Sequence, residues 1–306
     1  MPPGGYAWWY VDATSDDGRY SLVLIFFIGN VFSPYYAFAR RRGQPDAEQY
    51  CAVNAVLYGP GKVLGSKRWA LTERGQRALD RSATRLTIGP SALHWDGATL
   101  TADIDEVSVP LPTRLRGQVR LTPSFCLGDE YVLDGDARHR WWPVAPHARV
   151  DMEFDQPELA WSGHGYFDHN AGERGLEDDF ADWDWSRATL KDGVAILYDV
   201  RGRHKPANSL ALRVGTDGTV AHFEAPAARV LDTTSIWRIA RATRCETGGA
   251  QVIKTFEDTP FYARSAVRAD LCGEPVVAMH ESLQLARFRT RWVRSLLPWR
   301  MPRKPW

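Results

Sequence analysis

Apolar and polar positions alternate along most of the chain with a period of two, the spacing of a strand with one face buried. The pattern predicts strands at Ala7–Val11, Leu22–Gly29, Ala52–Tyr58, Arg68–Thr72, Leu86–Ile88 and Leu93–Trp95. Asp96-Gly97 is a hairpin turn signal before a strand at Leu100–Val107. Gln118–Leu121, Val150–Phe154 and Leu159–Asp168 follow. The second half adds Val194–Val200, Leu210–Val214, Val220–Glu224, Ser235–Ala242, Gln251–Glu257, Ala263–Ala269 and Pro275–Leu283. The most apolar run, Ser21–Phe32, has 12 residues. That is short of the roughly 20 needed to span a bilayer as a helix, and its β-branched and aromatic content reads as a buried strand.

Helix signals are few. Ser33-Pro34 caps a short helix reaching Arg41, because proline suits the first helical position. Thr72–Leu79 and Ser282–Leu297 are the other expected helices, the last stopped by Pro298. Many short strands at even spacing favour sandwiches or barrels over βαβ units. A polar, glycine-containing stretch at Gly172–Asp179 divides two strand-rich halves. The expected organisation is a first barrel domain at 1–175, a second at 176–285 and a basic, aromatic tail at 286–306.

Composition is that of a soluble globular protein, with 44% hydrophobic and 25% charged residues. The formal net charge of +1 gives no field pointing to nucleic acid or an acidic partner. The 13 Trp, 11 Tyr and 12 Phe stand out, as filling for a large β core or as the lining of a cavity for a large apolar ligand. Cys51, Cys126, Cys245 and Cys272 are scattered, with no CxxC pair to suggest zinc or redox chemistry. The opening MPPGG has neither the basic nor the apolar region of a signal peptide, so reduced thiols in the cytoplasm are expected.

Two stretches concentrate chemistry. In HRWWPVAP, His139 and Trp141 share a side if the chain is extended. In WSGHGYFDHN, strand geometry puts His164, Tyr166 and Asp168 on one face and Trp161, Gly163, Gly165 and Phe167 on the other. A third, Asp182–Trp185, places Trp183 and Trp185 on a shared face. Two histidines, a tyrosine and an aspartate on an inner face are expensive to bury unless paired. They form either a structural polar network fixing strand register or an acid–base site walled by aromatics. Dinucleotide, phosphate-loop, HExxH and GxSxG signatures are absent. Gly59-Pro60-Gly61-Lys62 lacks phosphate-loop spacing and reads as a turn, and His169 has no second ligand at metal spacing.

The tail from Arg287 to Trp306 holds seven Lys and Arg, no acid, and Trp292, Trp299 and Trp306. This mixture suits contact with an anionic membrane, docking on the protein's own barrel or, with no nucleic-acid fold to support it, nucleic acid as the least favoured partner.

Several long segments resemble the carotenoid 1,2-hydratases (hydroxyneurosporene synthases): GGYAWWYVDATSDDGRYSLVLIFFIGNVFSPYYAFARRRG, CAVNAVLYGPG, RWALTERG, LHWDGATLTADIDE, HRWWPVAPHARV, SGHGYFDHN, DWDWSRA and RFRTRWVRSLLPWRMPR. The resemblance runs through nearly the whole chain from Gly4, and its motifs are long, non-repetitive and specific in their order and spacing. It implies an all-β fold of two lipocalin-like antiparallel β-barrel domains with few short helices. It implies a hydro-lyase that adds water to the C1=C2 bond at the ψ-end of neurosporene, lycopene or related acyclic carotenoids, without a cofactor, in a bacterial pathway to spheroidene- or spirilloxanthin-type pigments. The family's functional residues fall on His139, Trp141, Tyr166 and Asp168, all intact here.

These residues suit the chemistry. Asp168 is the expected proton donor, Trp141 and Tyr166 face the tertiary cation, and His139 positions or deprotonates water. A hydrogen bond from His139 or His164 is expected to support the Asp168 carboxylate. Trp142, Trp161, His164, Trp183 and Trp185 are the expected contacts of the polyene, and no metal site is expected. The protein is expected to lie peripherally on the inner or intracytoplasmic membrane, with no nucleic-acid partner. A related polyene cyclase or isomerase, and a non-catalytic carrier of hydrophobic ligands, are the rival readings.

Overall fold

A computed structural model of the chain describes residues 1–43, 45–60, 67–204 and 206–304. The chain divides into two compact units. The first comprises residues 1–132, 138–175 and 295–306, and the second residues 133–137 and 176–294. Each is a curled antiparallel sheet of the lipocalin-like barrel type.

The first unit contains β1 (Tyr6–Ser15), β2 (Ser21–Ile28), β3 (Cys51–Tyr58), β4 (Lys67–Arg74), β5 (Leu79–Arg81), β6 (Arg85–Ile88), β7 (Ser91–Trp95), β8 (Leu100–Val107), β9 (Arg114–Pro123), β10 (Tyr131–Val132), β11 (His139–Gln156) and β12 (Glu158–Gly172). Their order is β4-β3-β2-β1-β12-β11-β9-β8-β7-β6-β5, with β10 against β11. The long-range pairing of β1 with β12 joins the start of the unit to its end. Alternation assigns the faces. Val11 and Ala13 of β1, Leu22, Leu24, Phe26 and Ile28 of β2, and Val150, Met152 and Phe154 of β11 all enter one continuous apolar core. The opposite face of β1 and β12 is also buried, and it is there that polar and aromatic side chains collect.

Inside the core's polar margin, Arg74 and Glu106 form a buried ion pair at 2.8 Å, and Ser91 donates to the second Glu106 oxygen at 2.9 Å. Gly89 has a positive φ of 63° and lies against the Arg74 side chain, where a Cβ would meet Nε at 2.5 Å. A glycine is therefore required both by the turn and by the arginine stacked on it.

The second unit contains β13 (Phe180–Leu190), β14 (Gly193–Gly202), β15 (Asn208–Gly215), β16 (Val220–His222), β17 (Ala228–Leu231), β18 (Arg241–Arg244), β19 (Gln251–Asp258), β20 (Tyr262–Leu271) and β21 (Glu274–Leu283). Seven pair in the order β16-β15-β14-β13-β21-β20-β19, and β17 pairs with β18. Ala188, Leu190, Ala195, Leu197, Val276 and Ala278 build its apolar cluster. Further along β13, Asp184 accepts from Ser282 and from the Ala242 amide. Burial pushes the Asp184 carboxyl up to about 7 and the neighbouring His280 imidazole down to about 4.

The expected helix after Ser33 forms as α1 (Pro34–Arg40), with the Ser33 hydroxyl accepting from the Tyr36 amide. The expected helix at Thr72–Leu79 does not form. Thr72–Arg74 continue β4 because they pair with Cys51–Val53 of β3, and a 3-10 turn at Gln76–Ala78 follows. Likewise Ser282 and Leu283 remain in β21, held by Asp184 and Trp183 of β13. A short α2 (Leu176–Asp179) precedes β13, and beyond β21 lie two short helices rather than one long one, α3 (Leu285–Phe288) and α4 (Arg291–Leu296). Of the expected strand at Ser235–Ala242, only the end from Arg241 pairs. The Gly59–Lys62 turn lies partly outside the described residues.

Most of the tail's cations are used internally. Arg294 pairs with Glu177 at 2.8 Å, Arg303 with Glu73, and the Arg300 guanidinium lies 4.4 Å from the Trp69 ring centroid. Backbone bonds from Glu73 to Pro302 and from Lys304 to Glu73 lay the final described residues along the free edge of β4.

Candidate active site

Strand register alone brings the chemical groups together. Residues directly opposite in an antiparallel pair project from the same face. Opposite Gly172 of β12 stand Tyr6 of β1 and His139 of β11; opposite Asn170 stand Trp8 and Trp141; opposite Asp168 stands Tyr10; opposite Tyr166 stands Asp12. All of these project from the side of the sheet away from the apolar core. Tyr6, His139, Trp141, Tyr166, Asp168 and Asn170 are all buried.

On the β11 side, Asp168 has no directly opposed residue, because the pairing shifts between Trp142 and Ala145 and again before Ala148. Pro143 and Pro146 fall in these two steps. Proline cannot donate to the ladder, so the bulges form where the sequence removes the N–H groups. The bulge leaves the Asp168 carboxylate to side chains rather than to a ladder neighbour.

Those side chains converge on it. Trp141 Nε1 donates to Asp168 Oδ2 at 2.9 Å and the Tyr166 hydroxyl donates to the same oxygen at 2.8 Å. Asn170 Nδ2 donates to Oδ1 at 3.1 Å. Donors on both oxygens favour the ionised carboxyl, whereas its burial favours the neutral acid. Aromatic rings enclose the group. Tyr10 meets Tyr166 edge-on at 6.2 Å, Tyr131 lies 5.6 Å from Trp141, and Trp8 stacks on Tyr6 at 5.0 Å.

His139 stands four residues along from Asp168, roughly 13 Å at strand rise. Its Nδ1 is hydrogen-bonded to the Tyr6 hydroxyl at 2.9 Å. Tyr6 and His139 are two strands apart and meet over Gly172. A Cβ at Gly172 would lie 2.3 Å from Tyr6 Cε1 and 2.8 Å from His139 Nδ1. Among the described residues, no three His, Cys, Asp or Glu side chains gather as a metal site.

A buried carboxylate held by an indole, a phenol and an amide, within aromatic walls, suits proton transfer to an apolar substrate. The sequence comparisons agree with that chemistry. The family model of the carotenoid hydratase CrtC matches residues 24–306. The chain belongs to the carotenoid hydratase family. It is 52% identical over 304 residues to the acyclic carotenoid 1,2-hydratase of Thiocapsa roseopersicina, covering 99% of this chain and 74% of that one. It is 49% identical over 308 residues to the enzyme of the same name from Rubrivivax gelatinosus, covering 99% and 75%. The fold is similar to the crystal structure of kievitone hydratase from Nectria haematococca, with a TM-score of 0.56 at 9% identity over 94% of this chain and 92% of that one.

For this carotenoid hydratase family member, the four residues expected to carry catalysis lie on one face, and Trp141, Tyr166 and Asp168 are in direct contact. The expected polyene contacts in the first unit do not join them. His164 lies on the same side of β12 but is exposed, 3.6 Å from Asp16. Neither it nor His139 is the partner of the Asp168 carboxylate described above. Trp161 projects into the opposite, apolar face near the start of β12, seven residues and roughly 23 Å from Asp168. Trp142 faces away from Trp141 and donates to the Leu127 carbonyl at 2.7 Å. Beside it, His169 packs 5.0 Å from Trp9, and burial pushes its imidazole down to about 4. Trp183 and Trp185 are buried on β13 of the second unit, Trp183 against Phe180 and Tyr198.

Two members of the cluster, Asn170 and Tyr6, were not among the sequence candidates. Asn170 continues the Tyr166–Asp168 alternation by one step, which is a signal the sequence does carry. Tyr6 is recognisable only once β1 is known to pair with β12. Asn170 Oδ1 is buried without a hydrogen-bond partner, a state that costs about 1–3 kcal/mol in an otherwise sealed interior.

Replacing Gly172 with alanine should part Tyr6 from His139 and lower turnover more than Tyr6→Phe does, since the phenylalanine variant loses only the hydroxyl. Steady-state rates of the two variants, with thermal melts as a fold control, check this. Equal activity in Gly172→Ala and the unaltered protein would contradict the assigned packing.

Proposed function

We propose that this protein is an acyclic carotenoid 1,2-hydratase in which Asp168 protonates C2 of a terminal ψ-end double bond and water captures the resulting tertiary cation at C1. Neurosporene and lycopene are the substrates that the family reading favours. The observation that carries the proposal is the buried Asp168 carboxylate, with Trp141 and Tyr166 on one oxygen and Asn170 on the other.

The physical requirement is a weakly basic alkene protonated by a carboxylic acid. Burial keeps the acid neutral, and the three donors stabilise the carboxylate left after the proton has moved. Their hydrogen bonds strengthen as negative charge develops, so they favour the transition state over the resting acid. In this reading the π faces of Trp141 and Tyr166 serve the cation that forms beside Asp168. Cation–π contacts are worth roughly 0.5–2 kcal/mol each, more when desolvated. His139, engaged by Tyr6 and remote from Asp168 in register, serves as a positioning residue at the end of the cluster. The addition of water moves no electrons to or from an external carrier, so the proposed reaction needs no redox cofactor.

A carrier of hydrophobic ligands needs apolar walls but no side-chain network around a buried acid, and the network found here bonds side chain to side chain. The cyclase or isomerase reading is separated by product mass, because only a hydratase adds a water.

Cells supplying lycopene or neurosporene and expressing this chain should yield a more polar pigment one water heavier. Asp168→Asn should retain polyene binding and lose roughly 100-fold or more of turnover. Substantial hydratase activity in that folded variant would remove Asp168 as the donor.

The substrate resides in lipid, and the tail offers a peripheral contact. Among the described tail residues of the first unit, Trp299 is 82% exposed, with Leu296 also at the surface. We propose that these side chains insert at the surface of the membrane that holds the pigment. Because Phe288, Arg294 and Arg303 are anchored in the fold, surface substitution is a cleaner test than deletion. Leu296→Glu with Trp299→Glu should weaken binding to anionic liposomes while the melting temperature holds; undiminished binding would sink the proposal.

A further inference from the structure

The Asn170 amide bonds to Oδ1 of Asp168, the carboxyl oxygen other than the one that Trp141 and Tyr166 bond. Both of those donors go to Oδ2 of Asp168. With the Trp141 indole and the Tyr166 hydroxyl both directed at Oδ2, the acid's own proton is assigned to Oδ1. Asn170 Nδ2 fixes the amide against that oxygen at 3.1 Å. The amide is 3% exposed, and its Oδ1 accepts no hydrogen bond. An amide oxygen can only accept, so the group that completes it must bring an N–H or O–H. Hydration of a hydrocarbon supplies one such reactant, which is water.

We infer that Asn170 Oδ1 holds the water molecule that captures the C1 cation, making Asn170 a catalytic residue of the hydration. The inference rests on the reading of Asp168 as the acid. The O–H bond of Asp168 breaks as its proton forms the C2–H bond with the alkene π pair, leaving the cation at C1. A lone pair of the water on Asn170 then forms the C1–O bond. That water's surplus proton passes to Oδ1 of Asp168, which restores the acid. One water is consumed, one carboxyl both gives and receives the proton, and no oxidant or reductant is needed. His139, four residues along, is not required as the base.

A cation formed without a placed water has another exit. It loses a proton from C2 or from a C1 methyl group to the carboxylate and returns to an alkene. Reaction in D2O separates the two exits, because captured cation appears as hydrated product with deuterium at C2, and uncaptured cation as deuterium in unhydrated polyene or its double-bond isomers. In Asn170→Ala, hydration should fall roughly 100-fold, with KM changed by less than about threefold. The ratio of deuterium in unhydrated polyene to hydrated product should rise. Asn170→Ser retains an acceptor oxygen and should move the ratio part of the way back; it also serves if the alanine variant does not fold. An unchanged ratio in these variants, or hydration and exchange falling together, would overturn the inference, because Asn170 would then only orient Asp168. If the unaltered protein adds no water or places no deuterium at C2, the fault lies with the reading of Asp168 rather than with Asn170.

Discussion

The structure of the first unit turns on one buried carboxyl group. A carboxyl group buried beside Trp and Tyr rings is costly, the more so once it ionises, unless donors are fixed against it, and the Trp141 indole, the Tyr166 hydroxyl and the Asn170 amide are fixed against Asp168. Two come from the same strand as Asp168, at alternate positions, and one comes across the sheet. The arrangement therefore exists only if β11 and β12 pair in one register. A slip of one residue would send Trp141 to the opposite face and leave the Asp168 carboxyl without that donor. The chemistry and the strand pairing constrain each other.

The sheet meets this demand by giving its two faces different work. One face of β1, β2, β11 and β12 closes the apolar core of the barrel, and the other carries the acid and its aromatic surroundings. Pro143 and Pro146 reconcile the two along the 18 residues of β11. The bulges at these prolines let one strand present His139 and Trp141 to the site, then resume regular pairing with Val150, Met152 and Phe154 in the core. Gly172 performs the matching task at the other end of β12, where the absence of a side chain lets Tyr6 and His139 meet over the strand.

Much of this was legible in the sequence, for identifiable reasons. Alternation in HGYFD gave Tyr166 and Asp168 a common face, and the extended HRWW gave His139 and Trp141 theirs. The resemblance to the carotenoid hydratases joined the two segments, which are paired in the fold. Periodicity is silent about which strands pair, and so Tyr6, which reaches the site through β1, was not visible. It is also silent about distance along a strand. His164 shares the parity of Asp168 yet is exposed beside Asp16, and Trp161 is on the other face altogether. Local propensity failed at Thr72–Leu79 for a related reason: cross-strand bonds to β3 outweigh the helix-forming tendency of LTERGQRAL. Asn170 is legible as well, since it extends the same alternation by one further step of two residues.

The central claim is that Asp168 drives addition of solvent water across the terminal double bond. Its most direct test is the isotopic content of the product when the purified protein turns over an acyclic polyene in D2O enriched in 18O. The account predicts a tertiary alcohol carrying one solvent oxygen at C1 and one deuterium at C2. A product with oxygen from another source, or one isomeric with the substrate and free of added oxygen, would contradict it.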